Sequence, residues 1–172
     1  MKKGFKSLVV ASLLLVGSSA MAGIDNMSIN VGGVNTTVGS ASSSTGLAIG
    51  FEWSFLGNAK AREDDSYDVF FDVAYNSVKN GYVTKIGIGA RYEVAPKIWL
   101  GGSFGASGFG LDNANNFNTT TYSGLMYGVH GKYELTQNHG VLLEYRNASM
   151  TDPTGLISVD VSSLSALYSY SF

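Results

Sequence analysis

The feature that most constrains the fold is the alternation of side chains in residues 164–172. Leu164, Ala166, Tyr168, Tyr170 and Phe172 fall on one parity, whereas the other parity carries three serines and a leucine. Because successive side chains of a β-strand point to opposite faces, the segment predicts a strand with one aromatic face and one mostly hydroxyl face. Such a strand would promote aggregation if it were exposed in a soluble protein. A bilayer accommodates it, with lipid on one side and polar groups on the other.

The same alternation recurs along the chain and predicts eight strands in all. They cover residues 27–34, 45–55, 67–76, 82–93, 98–109, 121–133, 141–146 and 156–172. The chain contains 22 glycines and two prolines, which suits a sheet with tight curvature. Eight strands is a common number for a closed membrane barrel whose interior is filled by side chains. The fold class predicted is all-β, an eight-stranded antiparallel up-and-down transmembrane β-barrel.

A soluble β-sandwich is the alternative fold, because its strands alternate in the same way. Two features of the sequence argue against it. The polar parity is rich in Gly, Ser and Ala, unlike a sheet face that meets water, and the apolar parity carries Tyr and Trp near the segment ends, as interfacial girdles do. The strand charges fall almost entirely on the parity opposite the aromatics. A one-residue slip would place them in lipid at about 2–4 kcal/mol for each Lys or Arg, so the pattern also fixes the register.

The N-terminal segment, residues 1–22, is predicted to be a secretory signal peptide. Three lysines precede an apolar run at 8–16, and Ala20 and Ala22 supply small residues at the cleavage positions. That run is about half of the ~20 residues that a spanning helix needs. The remaining 23–172 would form the barrel, with eight basic against thirteen acidic residues and a formal charge of −5. This acidic balance argues against nucleic acid as a partner, and the absence of cysteine excludes disulfides and thiolate chemistry.

Signal peptide, strand pattern and terminal strand together resemble the small outer-membrane barrels of the OmpA-transmembrane, OmpX-like and opacity-protein superfamily. The segment 164–172 resembles the C-terminal assembly signal of such barrels. The resemblance implies Sec-type export to the outer membrane of a Gram-negative bacterium and insertion by the barrel-assembly machinery. It further implies a monomer surrounded by outer-membrane lipids and lipopolysaccharide, with no cofactor and a structural or surface-interaction role. No peptidoglycan-binding domain is expected after the last strand.

The lumen is the natural place for a site, because the charged parity of the predicted strands points into it. By parity it collects five acidic and four basic side chains: Glu52, Asp68, Asp72, Glu93 and Glu144, with Lys85, Arg91, Lys132 and Arg146. Buried charges must be paired, so cross-lumen ion pairs are expected. They would act as a structural filling that is similar to the polar plug of OmpA-type barrels, or they would line a narrow pore for ions or small solutes.

A lipid A-modifying enzyme is the hypothesis of a different class, because some eight-stranded barrels modify lipid A. The deacylase among them uses a His-x-Ser motif with a Glu further along. Here His130 is followed by Gly131 and Lys132, so the position of the nucleophile holds a lysine. His139 falls in a predicted periplasmic turn, on the wrong side of the membrane for this chemistry. The sequence therefore predicts no catalytic site, and His130 is expected to be a hydrogen-bonding group of the lumen.

An even strand number places both termini on the periplasmic side. The outer loops are then expected at 35–44, 77–81, 110–120 and 147–155, and the periplasmic turns at 56–66, 94–97 and 134–139. The turn at 56–66 is unusually long and has no functional interpretation. In the eighth strand, Ile157, Val159 and Val161 lie on the parity opposite Phe172, so a bulge near Asp160 would be tolerated at the outer interface.

Overall fold

The computed structural model describes residues 26–40, 43–56, 67–79, 81–112 and 119–172. The predicted signal peptide and most of the long turn at 56–66 lie outside the described residues. Eight strands are present: β1 (Met27–Val38), β2 (Ser44–Leu56), β3 (Tyr67–Val78), β4 (Gly81–Ala95), β5 (Ile98–Asp112), β6 (Thr119–Glu134), β7 (His139–Thr151) and β8 (Ser158–Ser171). Within the part of the chain that the structure describes, no helix has the length and apolar character needed to cross a membrane.

The strands form a closed barrel in which each pairs with its neighbours in the chain and β1 pairs with β8. All of these pairings are antiparallel. A path that starts at Ser28 and follows paired residues once around the barrel returns to β1 at Val38, ten residues further along. The strands must therefore tilt by roughly 40°, as in other eight-stranded barrels, and the interior is only wide enough for side chains. The predicted fold class is confirmed.

The two ends of the barrel differ. At one end, here called the turn end, lie residue 27 of β1, the C-terminus and the connections after β2, β4 and β6. The connection between β4 and β5 is a tight turn in which Lys97 adopts a positive φ of 68°. The other end, the loop end, carries the connections after β1, β3, β5 and β7, none longer than six residues.

An apolar band surrounds the part of the barrel nearest the turn end. On β6 it runs from Leu125 to Tyr133, and both of these side chains are exposed. These eight residue steps rise about 20 Å at ~3.3 Å per residue and ~40° tilt. Aromatic side chains mark the turn-end edge of the band: Trp53, Phe55, Tyr67, Tyr92 and Tyr133. The band therefore has the height and the aromatic girdle of a surface that faces lipid.

Near the loop end both faces of the sheet change character at the same level. Apart from Tyr82, Gly108 and Gly110, the outward positions become hydrophilic, and we call this set the hydroxyl belt: Asn35, Thr37, Thr45, Ser77, Thr84, Thr121, Ser123, Asn147, Ser149, Thr151, Ser158, Asp160 and Ser162. The inward positions become apolar, and we call them the loop-side plug: Val83, Phe109, Met126, Ala148, Met150 and Val161, packed against Val38, Val78, Leu111, Tyr122 and Val159. The barrel wall thus has an apolar exterior and a charged interior toward the turn end. Toward the loop end it has a polar exterior and an apolar interior, as a water-soluble barrel does.

The predicted loops at 35–44, 77–81, 110–120 and 147–155 are too long. The strands extend further toward the loop end than the sequence indicated; β7, for example, reaches Thr151 where residue 146 was expected. The predictions fail where the faces invert, because apolar side chains were taken to mark the outside throughout. The bulge that the outer interface would have tolerated does not occur, because β8 pairs with β7 in one continuous register from Ser158 to Tyr170. Val159 and Val161 point inward and belong to the plug.

Candidate functional site: the filled lumen

Four side chains form a central ion-pair ring in the middle of the lumen. Lys85 Nζ lies 2.9 Å from Glu144 Oε2 and 3.3 Å from Asp72 Oδ2. Arg146 Nη2 lies 2.6 Å from Asp72 Oδ2 and also pairs with Glu144. Glu144 and Arg146 are two residues apart on β7, so the strand alternation turns both into the lumen. Each cation contacts both carboxylates, and the ring joins β3, β4 and β7 across the interior.

A second cluster lies closer to the turn end and is organised around Arg91 of β4. Its Nη1 donates to Glu52 Oε2 at 2.9 Å, and its Nε donates to Asp68 Oδ2 at 2.7 Å. The guanidinium also sits 4.6 Å from the centroid of the Phe70 ring. The His130 ring also packs against Phe70, edge-on, at a centroid distance of 5.4 Å. Phe70 therefore contacts both polar groups; it shares the inward parity of Asp68 and Asp72, but the predicted network named charged residues alone.

Inward glycines leave room for these long side chains. A Cβ built on Gly89 would lie 2.3 Å from Phe70 Cζ, and one built on Gly128 would lie 2.7 Å from Arg146 Cγ. Neither distance is compatible with a real side chain. Gly89 and Gly128 are therefore explained by packing inside the lumen.

Two of the predicted lumen charges are placed differently from the rest. Lys132 is buried, but the carboxylate nearest its Nζ in the described structure is Glu134 Oε1, 3.8 Å away at the turn end. Glu93 was predicted to join the network, but it lies outside it. Its Oε1 accepts a hydrogen bond of 2.8 Å from the backbone amide of Lys97, because the strand shifts register between Glu93 and Ala95 and the residue lies at the turn. The structure brings the other predicted charges together in the two clusters.

Ion pairs and apolar packing leave little free space in the lumen. One cavity of about 10 Å³ borders the central ring between Asn30 and Leu142, and another of about 30 Å³ lies beside Arg91 and Trp99 near the turn end. A single water molecule needs about 10–15 Å³ on this measure, so each cavity holds water at most. Neither has space for a solute, and no group of side chains suited to a metal ion occurs among the described residues.

The loop-side plug closes the lumen above the ion pairs. Met150 is fully buried and Phe109 nearly so, and the Phe109 ring stacks against that of Tyr122 at a centroid distance of 6.0 Å. Arg146 Nη1 lies 3.6 Å from Met126 Sδ, so the charged ring meets the apolar plug directly. The plug was missed from the sequence, although Val159 and Val161 on the unexpected parity of β8 were its signal.

The predicted assembly signal forms the outward face of β8 at the turn end. Leu164, Tyr168 and Tyr170 are exposed on this face. The Phe172 amide donates to the Met27 carbonyl at 2.9 Å, and the Phe172 ring packs edge-on against Tyr170. His139 contacts the Tyr168 hydroxyl through Nδ1, at the start of β7. The terminal strand is thus integrated into the barrel wall where β8 closes on β1.

The closed barrel, its apolar exterior and its charged interior define a small eight-stranded β-barrel of the outer-membrane type. No protein-family model and no curated protein matches the sequence. Among solved structures, Neisserial surface protein A (NspA) is similar at a TM-score of 0.57 and 17% identity, over 85% of this chain and 97% of that protein. Ail, the attachment invasion locus protein of Yersinia pestis, solved in complex with the heparin analogue sucrose octasulfate, is similar at a TM-score of 0.57 and 14% identity, over 85% and 99% of the two chains.

The N-terminal β-barrel domain of Pseudomonas aeruginosa OprF is similar at a TM-score of 0.53 and 16% identity, over 85% of this chain and 98% of that domain. At these identities the likeness establishes the fold. The resemblance inferred from the sequence pattern is therefore confirmed at the level of architecture.

Proposed function

We propose that this protein is an integral outer-membrane protein of a Gram-negative bacterium whose filled barrel is a non-conducting, non-catalytic scaffold with a structural or surface-interaction role. The observation that carries the proposal is the combination of the loop-side plug with the two ion-pair clusters. Together they fill the lumen between the loop end and the turn end, and the two cavities described beside them hold water at most.

The placement in the membrane is supported by the apolar band and its aromatic edge. A charged substitution on a mid-membrane lipid face costs about 2–4 kcal/mol, and within the described strands no Asp, Glu, Lys or Arg occupies an outward position of the band. The turn end carries both termini of the barrel and would face the periplasm, as in other barrels with an even number of strands. The loop end and the hydroxyl belt would then face outward.

A narrow pore is the alternative. The charges of the lumen favour it, since ion-conducting paths are lined by such groups. An open path would require both the central ion-pair ring and the loop-side plug to move. The ring joins opposite walls of the barrel just below the packed apolar residues of the plug. The geometry therefore favours the closed scaffold.

Catalysis is not supported by the arrangement around the histidines. His130 is buried beside Phe70, and the next inward position of β6 holds Lys132. His139 lies at the turn end, with its ring against Tyr168 and Tyr170. Among the residues that the structure describes, neither histidine contacts both a hydroxyl nucleophile and an orienting carboxylate, as a hydrolase triad requires.

The proposal is tested by single-channel recording of refolded protein in planar bilayers. Wild type and Lys85→Ala/Arg91→Ala are both expected to be silent, because the plug stays closed when the ion pairs are removed. Adding Arg146→Ala, Phe109→Gly and Met150→Gly to that variant should give conductance steps, since the ion pairs of the central ring and two buried side chains of the plug are then removed. Heat-modifiable gel mobility shows whether each variant is folded. Reproducible steps from wild type that change in Lys85→Ala/Arg91→Ala would establish the pore instead.

A further inference from the structure

The hydroxyl belt carries almost no charge, although its side chains are hydrophilic. Of its thirteen residues, twelve are Ser, Thr or Asn, one is Asp160, and none is Lys or Arg. Water-facing protein surfaces are usually about a quarter to a third charged. Exposure to water alone therefore does not explain why this surface carries one charged residue.

The connections at the loop end continue the same pattern in the sequence. They comprise residues 39–43, 79–80, 113–118 and 152–157. Lys79 and Asp152 are the charged residues among them. The connections at the turn end differ, because residues 57–66 alone contain two basic and three acidic residues, and Lys97 lies in the turn after β4. Charge is thus depleted at one end of the barrel and not at the other.

The inward face at the loop end adds no charge either. Its packed residues form the loop-side plug, which consists of aliphatic, aromatic and methionine side chains. The charged side chains of the two ion-pair clusters lie on the turn-end side of this plug. Both faces of the barrel wall near the loop end are therefore nearly uncharged.

The route of insertion gives a physical reason for this asymmetry. If the turn end stays in the periplasm, the belt and the loop-end connections must cross the hydrocarbon core, whereas the turn-end connections need not. A neutral hydroxyl or amide group costs less to bring into hydrocarbon than an ion does. Lys and Arg cost more at the bilayer midplane than Asp and Glu. The composition follows this order, since Lys79 is the one cation in the belt and the loop-end connections.

From these observations we propose that the low charge of the loop end lowers the free-energy barrier to crossing the bilayer during insertion. The hydroxyl belt supplies polar groups that suit its final surroundings, without the cations that would oppose the crossing. The inference rests on the proposed membrane placement, in which the turn end faces the periplasm. It assigns a role in insertion to a surface outside the lumen.

The test is the rate at which protein unfolded in urea inserts into preformed vesicles of zwitterionic phosphatidylcholine. Thr45→Lys and Thr121→Lys each place a cation at an exposed position of the belt. Thr45→Gln and Thr121→Gln are the controls for side-chain length, and Gln137→Lys places the same charge at an exposed position of the turn end. The appearance of the compact gel band gives the insertion rate, and urea unfolding gives the stability of the inserted barrel.

Each belt lysine should slow insertion by at least ~10-fold, because a lysine at the bilayer midplane disfavours that state by roughly 30-fold or more. The glutamine variants and Gln137→Lys should insert at the wild-type rate. The stability of the inserted belt-lysine variants should equal that of wild type, because the belt stands outside the hydrocarbon. In detergent micelles all variants should fold equally fast, since no bilayer is crossed.

Insertion of the belt-lysine variants at the wild-type rate would overturn the inference, and so would an equal delay in Gln137→Lys. A matching loss of stability would place the belt inside the hydrocarbon, and slower folding in micelles would attribute the delay to folding. Either of these results also overturns it. Failure of wild type to insert would refute the proposed membrane placement and is seen separately.

Discussion

Removing Arg146 tests whether the central ion-pair ring stabilises the barrel. In Arg146→Met, the carboxylates of Asp72 and Glu144 lose one of their two cations and must share Lys85, whose Nζ lies 3.3 Å and 2.9 Å from them. All of these groups are buried. Breaking a buried pair by removing one partner typically costs about 3–5 kcal/mol, because an uncompensated charge stays behind. We expect a loss of that size in the free energy of unfolding.

The assay is urea unfolding of refolded protein in lipid vesicles, followed by the fluorescence of the two tryptophans. Adding Asp72→Asn to Arg146→Met leaves one carboxylate, that of Glu144, for one ammonium group, that of Lys85. This double variant should recover more than half of the lost free energy of unfolding. Lys132→Met is the matched control: its Nζ lies 3.8 Å from Glu134 at the turn end, so its removal should cost clearly less. A loss below about 1 kcal/mol, the value of an exposed pair, together with no recovery in the double variant would refute the reasoning.

Three further predictions concern the plug, the inward glycines and the β7–β8 loop. Met150→Ala should lower the free energy of unfolding by about 2–5 kcal/mol in the same urea assay, because Met150 is fully buried. Gly89→Val should prevent formation of the compact gel band, whereas Gly33→Val should not, because a Cβ on Gly33 meets nothing within 4 Å. The Thr154 hydroxyl and nearby backbone amides donate to Asp152 and hold its pKa below the ordinary value. Because the pKa of Asp152 is lowered in the folded protein, the order of the β7–β8 loop is present above about pH 4 and is lost as the pH falls through the folded pKa. NMR amide shifts of the loop should report this loss. The variant Asp152→Asn should abolish this titration.

The strands of the lipid-facing zone are predictable from the sequence because one rule governs them. In that zone the outside is lipid, so every outward position must be apolar and every charge must point inward. This rule places Lys85, Arg91, Glu144 and Arg146 in the lumen from parity alone. It fails at Glu93, where a register shift at the turn moves the carboxylate out of the lumen.

The rule also fails above the membrane, where Val159 and Val161 point inward and Asp160 points outward. On β8 the apolar parity changes between Val161 and Leu164, but alternation continues through this change, so within a single strand it is easily taken for a local irregularity. The level of the inversion is a property of the whole barrel, because the same height is reached at different residues of eight tilted strands.

The sequence by itself determined the number of strands, their register and which charges share a face, because alternation and the cost of charges in lipid are local and repeated constraints. The tertiary structure alone decided the pairing of those charges, the role of Phe70 and the closure of the lumen. Arg91 meets Asp68 because the two residues are directly paired between β3 and β4, and its guanidinium reaches past β3 to Glu52 of β2. Ion pairing and plug packing depend on distances between strands. The spacing of residues along one strand gives no information on those distances.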